Sequence, residues 1–358
     1  MIEPGQIDIE VSWDGSTVQA ASIRSSRPRA SRVLIGRTPD QIGPLVGLLF
    51  SLCGRAQGLC AGLAVDAARV RSTDSMAIDL HAVLAERVFE HLWRIWIDWP
   101  QALGGPPRRQ AFAELAAPLR NASNADELQA AAIRLAAALR QQNHGHDLHA
   151  LLASVDALSD AAFFDGWLAA LMQIDRGDAP ATLTPLPTMP LRSWLSALPP
   201  WDANFAQAPV FRGQPAECGA LAERGEDPVI RTLLESGSAV TARVVARLAA
   251  LEQDLSALIE DAMPPDQVDV VSVHDGVAVA RVLTARGPLL HRAVIDGDRI
   301  ADYLIVAPTE WNFHPRGILS SAFEGRRFID ASALKTWAEA LVLALDPCVP
   351  ARVSVRSH

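Results

Sequence analysis

Two cysteines stand where a thiolate could serve as a metal ligand. Cys348 follows Asp346-Pro347 and precedes Val349-Pro350. Prolines on either side restrict the backbone, and a rigid loop suits a ligand. The plain alternative for Cys348 is a capped helix end near the C-terminus. Cys53 shares the segment SLCGRAQGLC with Cys60. If one helix ran through both, their Cα atoms would lie about 10.5 Å apart. A disulfide needs less than about 7 Å, so the two should not bridge, and they do not form a CxxC pair. Taken alone, each reads as a small buried core residue before it reads as a ligand.

Histidines add little. His144, His146 and His149 are close together in NHGHDLH, with the last two at i, i+3. They read as a solvated loop and helix start, because no HExxH pattern supports zinc. His291 and His314 lie near Arg286 and Arg316, and spacing assigns them no role. GxSxG, P-loop and GxGxxG patterns are absent from the sequence.

The elements that must position these residues can be read from periodicity. Ile7, Ile9 and Val11 alternate with polar residues, and Trp13-Asp14-Gly15-Ser16 turns the chain into Val18, Ala20 and Ser22, which predicts an edge hairpin. Leu80, Leu84, Val88, Leu92 and Ile95 recur at spacings of three and four, predicting a helix from Ala77 to Trp99 closed by Pro100. Further helices are expected over 110–120, 125–141, 149–174 and 238–262. A proline-rich stretch at 185–201 separates two helical regions. The β-branched run from Val268, the turns His274-Asp275-Gly276 and Asp296-Gly297-Asp298, and the segment 293–306 read as antiparallel strands. A last helix is expected from Ser332 to Leu345.

Composition limits the function classes. The chain has 358 residues, longer than a typical domain and too short for three. Its 32 Lys and Arg against 41 Asp and Glu give a net charge of −9, which argues against nucleic acid or an anionic membrane as the main partner. With 49% hydrophobic and 20% charged residues the chain can bury a large core, and global disorder is excluded. Four cysteines make no disulfide framework. The acidic, alternating N-terminus lacks the pattern of a targeting segment. The apolar stretch 43–54 has 12 residues and ends at Arg55, whereas a membrane span needs about 20. A cytoplasmic location with reduced thiols and no membrane span is therefore expected.

Several blocks, in order, resemble the large subunit of nickel–iron hydrogenases. That family carries RxCGxCxxxH near the N-terminus and DPCxxCxxH near the C-terminus. Here SLCGRAQGLC matches at Cys53-Gly54, with Ala56 at the second cysteine position and Cys60 at the histidine position. DPCVPARVS matches at Asp346, Pro347 and Cys348, with Ala351 and Ser354 at the later positions. FRGQPAECGALAERG (211–225) is similar to YxGxPxEVGPLAR, and TARGPLLHRAVIDGDRIADYLIVAPTEWN (284–312) is similar to APRGxLxH followed by PTTWN. The opening GQIDIEVSWDG resembles GHLRIEVxxDG, with Pro4 where the family has glutamate and Glu3 displaced by one. Hydrogenase-like proteins with eroded cysteine motifs form the HupK/HoxV family of hydrogenase expression and formation proteins, and the chain resembles these.

The resemblance implies an α+β, mainly α fold, with a central helical bundle and small antiparallel β regions at the N- and C-terminal parts. One domain over 1–358 is expected, divided into a hairpin region (1–35), a helical core (36–265) and a β region with the last helix and DPC tail (266–358). In the family the first cysteine of each pair is a terminal nickel ligand and the second bridges nickel to iron. Cys53 and Cys348 are kept here and both bridging positions are alanine, so a sulfur-bridged dinuclear site is not expected, nor nickel, nor hydrogen turnover. Two thiolates still suit an iron ion. Arg286, Pro308 and Thr309 match residues that line the family's pocket for cyanide and carbon monoxide. An arginine can donate charge-assisted hydrogen bonds to cyanide, and a threonine hydroxyl one more; the alternative for Arg286 is a plain salt bridge.

The resemblance thus implies a maturation factor that is not an enzyme: a transient scaffold for an Fe(CN)2(CO) fragment, held by Cys53 and Cys348 with Cys60 as a third candidate. Its implied partners are the maturation chaperone, the iron–cyanide assembly proteins and the hydrogenase large subunit. Two alternatives stand beside this. One is a metal-free protein that imitates the large subunit to dock the chaperones; the other is a residual hydrogenase-like enzyme. Hydrogenase precursors carry a tail that is cleaved after the motif histidine; only ten residues follow Cys348 here, so little processing is expected.

Overall fold

The computed structural model describes residues 5–50, 53–69, 80–160, 162–175, 183–199 and 201–357. Glu3, Pro4 and the expected helix start at Ala77 lie outside them.

The N-terminal alternation forms β1 (Ile7–Trp13) and β2 (Val18–Ser25), antiparallel as expected. The hairpin is not a sheet edge on both sides, however. The tail after Cys348 forms β7 (Ala351–Ser357), which pairs parallel with β1, so β1 is the middle strand of the order β2-β1-β7. The expected antiparallel β regions are present, and this parallel pair is added to them. Ala351, Val353 and Val355 stand opposite Ile7, Ile9 and Val11, so the apolar alternation of the tail matches that of β1.

The second sheet is an antiparallel meander of β3 (Val268–His274), β4 (Val277–Thr284), β5 (Gly287–Asp296) and β6 (Arg299–Val306). Both faces are covered. Helices α1 (Ile42–Leu49) and α2 (Gly54–Ala68) lie on one face, where Cys60, Ala61 and Ala64 meet Ala278, Ala280 and Leu289. Trp194, Phe205 and Trp311 cover the other. Two covered faces explain why β4 is apolar almost without alternation.

The remaining core is helical. It contains α3 (Leu80–Trp93), α4 (Arg109–Asn121), α5 (Ala125–Gln142), the long α6 (Ala239–Glu260) and α8 (Ala331–Leu345), all packed with the first sheet. Short α7 (Pro308–Asn312) follows β6. Pro100 does not close the α3 segment. A π-helical turn at Arg94–Asp98 leads into one further turn, Trp99–Ala102, with Pro100 in its first positions, where the missing N–H is tolerated.

The single helix expected over 149–174 is broken. Short helices at Leu148–Leu151 and Val155–Leu158 are followed by a 3-10 turn at Phe163–Gly166 and a helix at Trp167–Ile174. Asp147 and Ser154 accept hydrogen bonds from the backbone N–H groups of Ala150 and Ala157, restarting the helix each time. Phe164 and Asp165 then take positive φ values of 48° and 56°. Apolar periodicity persisted across these breaks, and the capping residues decided the backbone.

Candidate functional site

Cys53 sits immediately before α2. Its neighbour Gly54 is required by a close helix crossing, since a Cβ there would lie 2.8 Å from the Gly47 carbonyl oxygen on α1. The first N–H groups of α2 have no partner within the helix; the Glu86 carboxylate on α3 accepts from Arg55 N at 2.8 Å and Ala56 N at 3.0 Å. Glu86 thereby fixes the turn that carries Cys53.

A chain of hydrogen bonds reaches the same sulfur from the second sheet. Tyr303 Oη lies 2.8 Å from His291 Nδ1, His291 Nε2 lies 3.0 Å from Gln57 Oε1, and Gln57 Nε2 lies 3.9 Å from Cys53 Sγ. Burial lowers His291 to about 3, so its ring is neutral. With the tyrosine donating to Nδ1, the imidazole donates from Nε2 to Gln57, whose amide then presents N–H to the sulfur. Burial pushes the Cys53 thiol well above its ordinary value, and the Glu90 carboxylate adds to this.

Cys348 arrives from the other end of the chain. α8 ends at Asp346 in the left-handed region, φ 56°. The Thr309 hydroxyl on α7 donates to Cys348 Sγ at 3.2 Å and accepts from Cys348 N at 3.4 Å. Arg286 and Arg27 each lie within electrostatic reach of both Cys53 and Cys348.

Arg286 lies on the loop between β4 and β5 and is 7% exposed. It is tied by Nη1 to Glu90 and by Nε to Asp346, with Nε 3.3 Å from Asp346 Oδ1. Its Nη2 makes no hydrogen bond to the described residues. The loop is held from behind: Cys218 Sγ lies 3.5 Å from both the Arg286 and the Pro308 carbonyl oxygens. Gly219, at φ +94°, is needed there, because a Cβ would sit 2.8 Å from the Arg286 oxygen. Cys218 and the Pro308 carbonyl thus act as a brace between two loops.

Asp346 anchors the centre. Its carboxylate meets Arg94 at 2.5 Å and Arg247 of α6 at 2.9 Å, besides Arg286. Burial alone would raise its pKa, but these three guanidiniums outweigh that and hold it well below the usual carboxylate range. Burial raises Glu90 to about 7, with Arg286 opposing. Arg27 and Glu310 form a further ion pair beside the thiols. A cavity of about 780 Å³, lined among others by Glu90, Arg286 and Cys348, opens from this centre.

Thr309 is thus bonded to Cys348, Arg286 lines the cavity beside Cys348, Pro308 sits at the brace, and Cys53 lies within electrostatic reach of Arg286 and Cys348. Cys60 is not joined to them. It is fully buried under the second sheet, its sulfur 3.4 Å from the Ala280 oxygen and 3.6 Å from the Leu289 oxygen. His144, His146 and His149 lie apart from the centre in a solvated segment, as expected. Among the described residues no group of three or more His, Cys, Asp and Glu side chains is arranged to hold a metal ion.

Glu86, Glu90, Arg27 and Gln57 were not singled out by spacing or motif, and His291, which falls at the histidine of the APRGxLxH-like block, was given no role. Glu86 and Glu90 did leave a signal: carboxylates at i, i+4 on a helix that is otherwise apolar on that side.

These features define a protein with the fold of a nickel–iron hydrogenase large subunit, carrying two thiols where that class has four. The Ni-Fe-Se hydrogenase of Desulfovibrio vulgaris Hildenborough in its reduced state matches with a TM-score of 0.66 at 15% identity, covering 94% of both chains. The reduced Ni-Fe-Se hydrogenase of Desulfomicrobium baculatum matches with a TM-score of 0.57 at 14% identity, covering 94% of this chain and 95% of the other. In sequence, hydrogenase expression/formation protein HupK of Rhizobium leguminosarum bv. viciae is 30% identical, covering 99% of this chain and 98% of its own. HoxV of Cupriavidus necator is 30% identical, covering 93% and 92%. No protein-family model matches the chain. The chain belongs to the HupK/HoxV family of hydrogenase expression/formation proteins. No helix among the described residues is long and apolar enough to cross a membrane.

Proposed function

We propose that the protein acts in hydrogenase maturation as a transient, non-catalytic carrier of an Fe(CN)2(CO) fragment on its way to the hydrogenase large subunit. The observation that supports this is a buried arginine, Arg286, that lines one cavity with Cys348 and lies within electrostatic reach of both Cys348 and Cys53, thiols from opposite ends of the chain. Cys53 and Cys348 would hold the iron of the cargo. The Nη2 of Arg286, which bonds to none of the described residues, and the Thr309 hydroxyl, once released from the sulfur, are donors of the type that cyanide accepts. Two thiolates make fewer bonds than a bridged four-sulfur centre, which favours release. Nickel has no bridging sulfur here, since Ala56 and Ala351 occupy those positions.

The upstream partners in this reading are the maturation chaperone and the iron–cyanide assembly proteins, and the setting is the cytoplasm. The test is anaerobic co-expression with that assembly machinery, followed by infrared spectroscopy of the purified chain. Cyanide and carbonyl bands are expected, lost in Cys53→Ala and Cys348→Ala together with mature hydrogenase in cells. Absence of the bands, with normal hydrogenase in both variants, defeats the carrier reading.

A second reading draws on the 49% hydrophobic composition, which is compatible with an apolar docking surface: a metal-free protein that presents a large-subunit surface to the chaperones. It expects docking unaffected by Cys348→Ser and no metal in the purified protein. Hydrogen-dependent dye reduction by the pure protein would instead favour a residual enzyme.

A further inference from the structure

The 780 Å³ cavity has a character that the thiol centre does not require. Five cationic side chains and two carboxylates line it, in a chain whose net charge is −9. Arg94 and Arg286 are drawn inward to Asp346. Arg120, on α4, and Arg352, on β7, are exposed at the rim. Arg120 lies 4.9 Å from the centre of the Phe89 ring, and Arg352 is shared with exposed Asp8. Between these cations the wall is apolar, with Trp93 left 41% exposed.

One side of the cavity is formed by residues 349–353, where β7 begins. β7 is the last strand of the order β2-β1-β7, so its outer edge pairs with no strand among the described residues. Seven residues at about 3.3 Å each give an open edge of roughly 23 Å. An open edge beside a groove accepts an extended peptide, with main-chain bonds giving affinity and alternate side chains giving specificity.

We propose that this groove docks an extended segment of a partner protein in which acidic and apolar residues alternate. The acidic face meets Arg120 and Arg352, the apolar face meets the wall at Trp93, and the segment's backbone pairs with β7. Charge complementarity selects this occupant over a basic or neutral one.

The test is fluorescence anisotropy of a labelled octapeptide of alternating glutamate and valine with the full chain, purified without cargo. Failure of the carrier reading would therefore leave the result untouched. Saturable binding is expected, weakening as salt rises and falling at least tenfold in the Arg120→Gln/Arg352→Gln variant, whose fold is checked by circular dichroism and thermal melting. The same peptide with lysine for glutamate is expected not to bind, and N-methylation of alternate backbone amides is expected to abolish binding. Equal binding of the lysine peptide, no effect of the double variant, or full affinity of the methylated peptide would each overturn the proposal. Displacement of the peptide by millimolar inorganic phosphate would mark a small-anion site instead and also overturn it.

Discussion

The hydroxyl of Thr309 points at the sulfur of Cys348 from 3.2 Å, and the backbone N–H of Cys348 points back at the same oxygen. One residue of the PTEWN segment thus orients the thiol of a segment 39 residues further on. Thr309→Val keeps the shape and removes both bonds. A hydrogen bond of this kind is worth about 0.5–1.5 kcal/mol. The variant is expected to keep its fold and, on the carrier reading, to retain the proposed iron-cyanide cargo several-fold less well, read as the intensity of the infrared bands after a fixed period of dialysis. Unchanged retention would remove Thr309 from the site.

Gln57 is expected to matter for the other thiol. It stands between His291 and Cys53, accepting from the imidazole and offering its amide to the sulfur. Gln57→Leu leaves His291 Nε2 buried without an acceptor, which costs about 1–3 kcal/mol. It is expected to lower the denaturation midpoint and to slow alkylation of Cys53 by iodoacetamide, because the thiolate loses a donor. Faster alkylation, identified by peptide mapping, would show that the amide shields the sulfur rather than activating it.

His291 sets a pH dependence with a definite sign. Its folded value is near 3 and its ordinary value 6.5. Between those values the unfolded chain binds a proton that the folded chain refuses, so stability falls as pH drops below 6.5. At about 1.4 kcal/mol per unit, lowering the pH from 6.5 to 5 costs about 2 kcal/mol through this residue. His291→Gln is expected to lose that slope in urea denaturation at pH 5 and 7. An unchanged slope would mean that the imidazole accepts a proton within the fold.

Asp346 is the residue whose loss should do the most damage. Three arginines converge on its buried carboxylate, and removing one partner of a buried ionic cluster costs about 3–5 kcal/mol. Asp346→Ala is expected to lower stability by that amount at pH 7. Because the folded pKa lies below the ordinary 3.8, the carboxylate's contribution is complete above about pH 4 and fades as pH falls toward the folded value. The stability gap between wild type and variant should therefore narrow only in strong acid. A gap that closes between pH 7 and 5 would contradict this.

Cargo binding should itself release protons. The Cys53 thiol is held protonated by burial, and iron binds the thiolate. Apparent affinity for the cargo is expected to rise with pH, about tenfold per unit for each proton displaced, and acidification should expel the iron. Affinity independent of pH between 6 and 9 would argue that Cys53 is not a ligand.

The sequence by itself determined the local elements and the family to which the chain belongs. Alternation over 7–11, the three–four spacing on α3 and the β-branched run from Val268 placed strands and helices close to where they lie. The CG and DPC blocks, with ARG and PTEWN, marked residues of which Thr309 and Cys348 are hydrogen-bonded and Arg286 lines the same cavity as Cys348. Each of these signals sits within a few consecutive residues.

What only the tertiary structure decided depends on residues far apart in the chain. Nothing local in the tail forecasts that β7 pairs with β1, because parallel pairing needs a partner more than 300 residues away. Nothing in α3 alone distinguishes Glu90 facing Arg286 from a solvated carboxylate, because burial is a property of what covers a side chain. Cys53 and Cys60 look alike seven residues apart, yet α2 sets one at its start, facing Arg286, and turns the other under the sheet. The separation of the candidate thiol from the core residue was made by the direction of the helix against that sheet.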